Sequence, residues 1–200
     1  MPRTGERGGP QTRARILQAA NQLFYERGFD PVTVAEVAKE AGVSSVTVFN
    51  HFPRKEELFF DRADEAIELL RSAIREPGAE LDALGALREL TLRLLDERHP
   101  LSGTDPRSVQ YLRTVAGAPA LVAGARAIVA TLQRTLADEL ESNPVFDGDA
   151  GLFAALFIGG YSEIFVATAR RLLAGEHPDK LPGDTRARFE RLFETLRNGL

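Results

Sequence analysis

The chain has 200 residues, 44% of them hydrophobic and 27% charged, and no cysteine. That composition supports a folded chain with its own core and excludes a disulfide scaffold, thiolate metal sites and cysteine catalysis. The formal net charge of −4 argues at first against a nucleic-acid partner. His51, His99 and His177 are too far apart in sequence to form a local zinc pair.

Residues 1–11 are rich in Gly, Pro and Arg with no apolar stretch, so no signal peptide is expected. No segment sustains a period of two, and every expected element is a helix. The first runs from Gln11 to Gly28, with Ile16, Leu17, Ala20, Leu23 and Phe24 on one face and Gly28 as its stop. Thr33 to Ala41 opens with a capping box, Thr33 as N-cap and Glu36 reaching back. Gly42 supplies a turn, Ser44 caps a helix to Phe52, and Pro53 lies beyond its end. A fourth helix starts near Arg54, carries Leu58, Phe59, Ala63, Ile67, Leu70 and Ile74, and ends before Pro77-Gly78.

Glu80 to Arg98 follows, then a loop from His99 to Thr104 and a short helix opened by Asp105-Pro106. A long helix runs from Pro119 to about Ser142 and is broken by Asn143-Pro144. Asp149 to Gly175 is the most apolar helix. Its run from Leu152 to Ala169 reaches 18 residues, the length of a borderline membrane span. Glu163 and Gly159-Gly160 within it favour a buried helix of a soluble protein, covered on every side. After a loop to Gly183, Asp184 is expected to cap a last helix with Phe189, Leu192, Phe193, Leu196 and Leu200 facing inward. His99 and His177 read as surface histidines.

The segment from Thr33 to Lys55 is a helix, a glycine turn, a second short helix and an abrupt stop. That is the layout of a helix-turn-helix. Val37, Ala38, Val43, Val48 and Phe52 make its small core, leaving Ser45, Val46, Thr47, Phe49 and Asn50 outside. Pattern alone leaves open a helical hairpin that binds nothing.

The run from Thr33 to Leu58, with Thr12 to Ala20 and Phe24 to Phe29, resembles the TetR family of bacterial transcriptional regulators. The resemblance implies an all-α fold of nine helices. It places a helix-turn-helix DNA-binding domain at residues 10–70, with its recognition helix at about 44–52. An effector-binding and dimerisation domain would occupy 71–200. It further implies a homodimer on a palindromic or near-palindromic double-stranded DNA operator. A repressor released by a small apolar or aromatic effector is the expected function, in the cytoplasm, with no membrane, metal, cofactor or catalysis. A helical adaptor that has lost specific DNA binding is the alternative, and activation instead of repression stays open.

Carried over by position, Thr33 touches a phosphate at its helix N-terminus, with Ser44 capping the next helix. Thr47, Phe49, His51 and Lys55 hold or flank the DNA backbone, and Ser45, Val46 and Asn50 fall on base-reading positions. Phe49 stands where the family usually has Tyr, so a phosphate hydrogen bond worth about 1 kcal/mol is missing. Val46 either meets a thymine methyl or packs on the neighbouring helix. The charge objection is local. Residues 1–60 carry eight Lys/Arg against seven Asp/Glu, and the remainder 17 against 22. Arg3, Arg7, Arg13 and Arg15 precede or line the first helix, and Arg54 and Lys55 follow the recognition helix. Screening over about 8 Å hides the distant acidity.

In the second half, Phe153, Phe157, Tyr161 and Phe165 recur every four residues. The stripe is core, interface, or the wall of an apolar effector pocket. Phe153, Phe157 and Tyr161 are the candidate wall, with Gln110, Tyr111 and Thr114 as its polar lining. The resemblance assigns dimerisation to the last two helices, through Phe165, Phe189, Leu192, Phe193 and Leu196. Gly159-Gly160 is expected to permit close helix approach, since two glycines there otherwise cost about 1 kcal/mol each. Glu163 pairs with an arginine such as Arg88, Arg93, Arg126 or Arg134, or meets a polar group of the ligand.

Overall fold

The computed structural model describes residues 9–76 and 81–198. Arg3, Arg7, the Pro77-Gly78 stop, Glu80 and Leu200 lie outside the described residues. Among the described residues there are nine α-helices, three short 3-10 turns and no strand. The chain divides into two compact units. One comprises Met1–Arg62 with Thr114–Ala125, the other Ala63–Arg113 with Arg126–Leu200.

The first unit contains α1 (Pro10–Arg27), α2 (Val34–Glu40) and α3 (Ser45–His51), followed by a 3-10 turn at Lys55–Leu58. Pro10 sits at the start of α1, where a missing N–H costs nothing. Gly28 ends α1 with its N–H on the Phe24 carbonyl at 2.9 Å. Between α2 and α3, Gly42 takes φ +64, a left-handed conformation that a Cβ disfavours. The core is Ile16, Leu23, Phe24, Phe29, Val37, Val48, Phe52, Leu58 and Phe59, joined by Ala118 and Leu121 from the inserted segment. The Phe24, Phe29 and Phe59 rings meet at 5.2 to 5.8 Å between centroids. Gly124 belongs to the inserted segment of this unit, and a Cβ there would stand 2.7 Å from Phe60 Cε2.

The expected continuous helix from Arg54 to Ile74 is instead two elements. The 3-10 turn ends at Leu58, and α4 spans Ala63–Arg75. Leu58 and Phe59 are both buried and Phe60 packs beside them. A helix would splay three successive side chains over about 200°. The 3-10 turn stops at Leu58, and the non-helical backbone from Phe59 to Arg62 lets all three side chains turn to one core.

The second unit holds α4, α5 (Ala83–Asp96), the second part of α7 (Pro119–Glu141), α8 (Ala150–Leu173) and α9 (Leu181–Asn198). Helix α6 (Val109–Gly117) divides between the two units. Asp82 and Asp149 cap α5 and α8 as N-caps. Its core joins Leu70, Ile74, Leu87, Leu136, Leu140, Phe157, Phe189 and Phe193. The last helix starts at Leu181, ahead of the expected Asp184 cap. Leu181 is fully buried, which draws the chain in early, and Asp184 instead accepts a hydrogen bond from Arg171 at 2.7 Å. His99 is also not a surface histidine. Its Nδ1 accepts from the Leu101 N–H at 3.3 Å, and its Nε2 lies 3.3 Å from Glu65 Oε1.

Candidate nucleic-acid interface

Helix α3 packs by one face only. Val48 is fully buried, whereas Val46 is 68% and Phe49 49% exposed. Asn50 is exposed too, and Ser45, Thr47 and His51 are half-buried. Large apolar side chains at such exposure favour contact with a partner over water. Ser44 Oγ accepts from the Thr47 N–H at 3.0 Å and lies 2.8 Å from Thr47 Oγ1. The same cap that starts α3 therefore fixes the Thr47 hydroxyl. Val46 points away from the unit's core, so packing on the neighbouring helix does not account for it.

The α2 capping box forms as expected. Thr33 Oγ1 accepts from the Glu36 N–H at 3.2 Å, and Glu36 Oε2 accepts from the Thr33 N–H at 2.8 Å. The Thr33 hydroxyl also donates to Glu36 Oε2 at 2.8 Å. The Thr33 backbone bond, then its hydroxyl bond, hold the Glu36 carboxyl below its ordinary value. A lowered carboxylate stabilises the fold above the ordinary value near 4.5 and loses that contribution as pH falls through the lowered one. Glu36→Gln is therefore expected to be less stable than the parent at neutral pH, with the gap closing in acid. Denaturation of both proteins across a pH series checks this; a gap that persists unchanged in acid contradicts it.

The cations around α3 are unequally placed. Arg15 and Arg54 are exposed, and Arg54 Nε lies 3.8 Å from Glu57. The Arg13 guanidinium stacks over the Phe52 ring at 4.7 Å, a cation–π contact. Lys55 Nζ donates to the Phe29 and Asp30 carbonyls at 2.7 and 3.2 Å. Removal from water pushes the Lys55 pKa down. Sequence reasoning treated these cations alike. The one signal that separates them is the run of aromatic residues at Phe24, Phe29 and Phe52, which offers ring faces to nearby cations.

The second unit distributes the remaining candidates differently from the sequence reading. Phe157 is buried, with its ring 6.0 Å from Tyr161 and 6.2 Å from Phe193. Tyr161 donates its hydroxyl to the Leu101 carbonyl at 2.9 Å, and burial raises its pKa. Phe153 packs on Phe146 at 5.5 Å. Gln110 and Tyr111 are exposed, while Thr114 belongs to the first unit. A cleft of about 680 Å³ opens between Ile74-Arg75 and residues 138–145, and none of the six effector candidates lines it.

Helix α8 is long and apolar enough to cross a membrane, yet only 28% of its most apolar window is buried within the chain. Its own chain covers one side of α8. Leu152, Leu156, Gly159, Glu163 and Val166 remain exposed or open. At about 100° per residue they fall within an arc of about 80°. Phe165 lies on the opposite side, against Gly103. Phe189 and Phe193 are 0% and 3% exposed in the chain's own core, so they are not available to a partner. Leu192 and Leu196 are half-buried. Gly160 admits Leu192 of α9, since a Cβ there would stand 2.5 Å from Leu192 Cδ1, whereas nothing lies near Gly159. Glu163 is exposed and has no ion pair among the described residues; Arg88 instead pairs with Glu190 at 2.6 Å. The 4-3-4-3 spacing of the open stripe was readable in the sequence and was missed beside the aromatic one.

Residues 16–61 match the model of the bacterial regulatory proteins of the tetR family. A probable HTH-type transcriptional regulator, ArpR of Pseudomonas putida, is 37% identical over 100 residues, covering 48% of this chain and 47% of that protein. The HTH-type transcriptional regulator TtgR of Pseudomonas putida is 36% identical over 100 residues, with the same coverage. The match thus spans about half the length of these curated relatives. The solved structure of Thermus thermophilus FadR, a TetR-family transcriptional repressor in complex with lauroyl-CoA, is 25% identical. It covers 94% of each chain, with a TM-score of 0.56. The helix-turn-helix segment of this chain, residues 16–61, is that of the bacterial regulatory proteins of the tetR family, and its nine described helices follow the fold of FadR.

Proposed function

We propose that this chain is a dimeric, cytoplasmic repressor that binds a near-palindromic DNA operator and leaves it when a small apolar or aromatic effector binds. The observation that carries the reading is α3, anchored by fully buried Val48 while Val46 and Phe49 stay exposed beside Asn50. Residues 10–70 serve DNA binding and 71–200 serve effector binding and dimerisation. Ser45, Val46 and Asn50 read bases. Arg13, Arg15, Thr33, Ser44, Thr47, Phe49 and His51 contact or frame the backbone. Phosphate contacts orient the protein and base contacts specify the site.

The partner protomer covers the Leu152–Val166 stripe of α8. That accounts for an apolar face left open and for Gly159, which has no packing role within its own chain. FadR's lauroyl-CoA supports an apolar effector class. An effector that binds better to a dimer misfitted to the operator lowers operator affinity by linkage.

Selection of bound duplexes from a randomised library tests the reading. The expected product is a two-fold symmetric site with half-sites about one helical turn apart. Val46→Ala and Asn50→Ala are expected to relax preference at single base pairs, by about 1–3 kcal/mol each. Recovery of no preferred sequence would contradict the proposal.

A further inference from the structure

The outward face of α3 is apolar and uncharged. Val46 precedes fully buried Val48 by two residues, about 200° around the helix. Val46 therefore points straight away from the unit's core, and it is 68% exposed. Phe49 follows three residues later on the same side, and exposed Asn50 one turn later. Val46 thus stands between an aromatic ring and a carboxamide. The helix itself, Ser45–His51, has no Lys or Arg; Arg13, Arg15, Arg54 and Lys55 all lie outside it. His51 is half-buried, about 140° around the helix from Val46, with its ring 6.3 Å from that of Phe52.

The major groove shows a different edge for each base pair. Guanine presents two acceptors, which Arg or Lys matches with paired donors. Adenine presents an acceptor beside a donor, which a carboxamide matches, and thymine alone carries a methyl group. Serine and threonine hydroxyls accept any of these edges and discriminate little. A face of Val46, Phe49 and Asn50 has no paired donors for guanine. It has the adenine match in Asn50 and a dry surface for a methyl. Valine set on a polar base edge would strip water from it and leave its donors or acceptors unpaired.

We infer that α3 reads A·T pairs, with Val46 seated on a thymine methyl, the Phe49 ring shielding that contact from water, and Asn50 bonded to an adenine. This rests on the DNA-binding reading and names the bases that reading left open.

The probe is a duplex recovered from the randomised library. It is compared with copies in which deoxyuridine replaces thymidine, one position at a time, in both half-sites. The replacement removes the methyl group alone and keeps the base pair. At one thymine position, binding is expected to weaken about fourfold per half-site, or about 15-fold for both. Val46→Ala is expected to melt as the parent does and to bind the thymidine and deoxyuridine duplexes equally. Asn50→Ala should relax the preference at the adenine and keep the methyl effect. A recovered site with G·C pairs where these two variants relax the preference overturns the inference. Equal binding of the parent with and without each methyl overturns it too, as does a methyl effect that Val46→Ala leaves intact. In those three cases a preferred site exists and the DNA-binding reading stands. Recovery of no preferred site overturns both.

Discussion

Phe189→Ala is expected to destabilise the protein by about 3–5 kcal/mol, the range for emptying a buried aromatic site. Phe189 is wholly buried and its ring centroid lies 4.9 Å from that of Tyr161. Tyr161 in turn meets Phe157, and Phe157 meets Phe193. Removing the first ring opens a void between α8 and α9 that the other three cannot fill without leaving their rotamers. Melting is expected to fall by about 10 °C. Well below that temperature the variant is folded and dimerises as the parent does, because the lost side chain never reaches the surface. Unchanged melting together with loss of the dimer would return Phe189 to the interface.

Leu156→Glu is expected to do the reverse. Leu156 is 41% exposed in the isolated chain, so the substitution disturbs little of the protomer, and helicity and melting of the folded monomer persist. On the proposed dimer face it puts a carboxylate on the stripe that already carries Glu163, and the two-fold doubles the charge. Burying unpaired charge costs several kcal/mol. The dimer dissociation constant is therefore expected to rise at least about 100-fold, or about 2.7 kcal/mol. Operator affinity should fall with it, because a monomer reaches one half-site only. Sedimentation velocity over a dilution series reads the first effect. A variant that sediments as an unaltered dimer would place the interface elsewhere.

Local chemistry was legible in the sequence wherever one short segment decides it. The Thr33–Glu36 capping box and the Ser44 cap depend on residues three apart, and both form as read. Gly28 and Gly42 end their elements for reasons of φ alone. Facing was harder. Phe189 and Phe193 lie on the apolar side of an amphipathic helix, and periodicity cannot say whether that side meets its own chain or another. The structure gives them to the chain's own core, and leaves Leu152 and Leu156 open instead. Long-range placements carried no local signal. Ala118 and Leu121 join the first unit from more than fifty residues beyond Arg62. Leu58 and Phe59 break an otherwise plausible helix because both are drawn into one core. Lys55 looked like any surface cation until the Phe29 carbonyl and ring were found beside it.

The function proposed for α3 stands on sequence-preferring DNA binding. Its most direct test is fluorescence anisotropy of the protein against labelled duplex from upstream of its own gene, beside a scrambled duplex, at several salt concentrations. Tighter binding to the upstream DNA is expected at every salt. Electrostatic, sequence-independent contacts weaken alike for both duplexes as salt rises, so the preference should persist. Equal and weak binding to both, with no preferred site recovered from a randomised library, would contradict it.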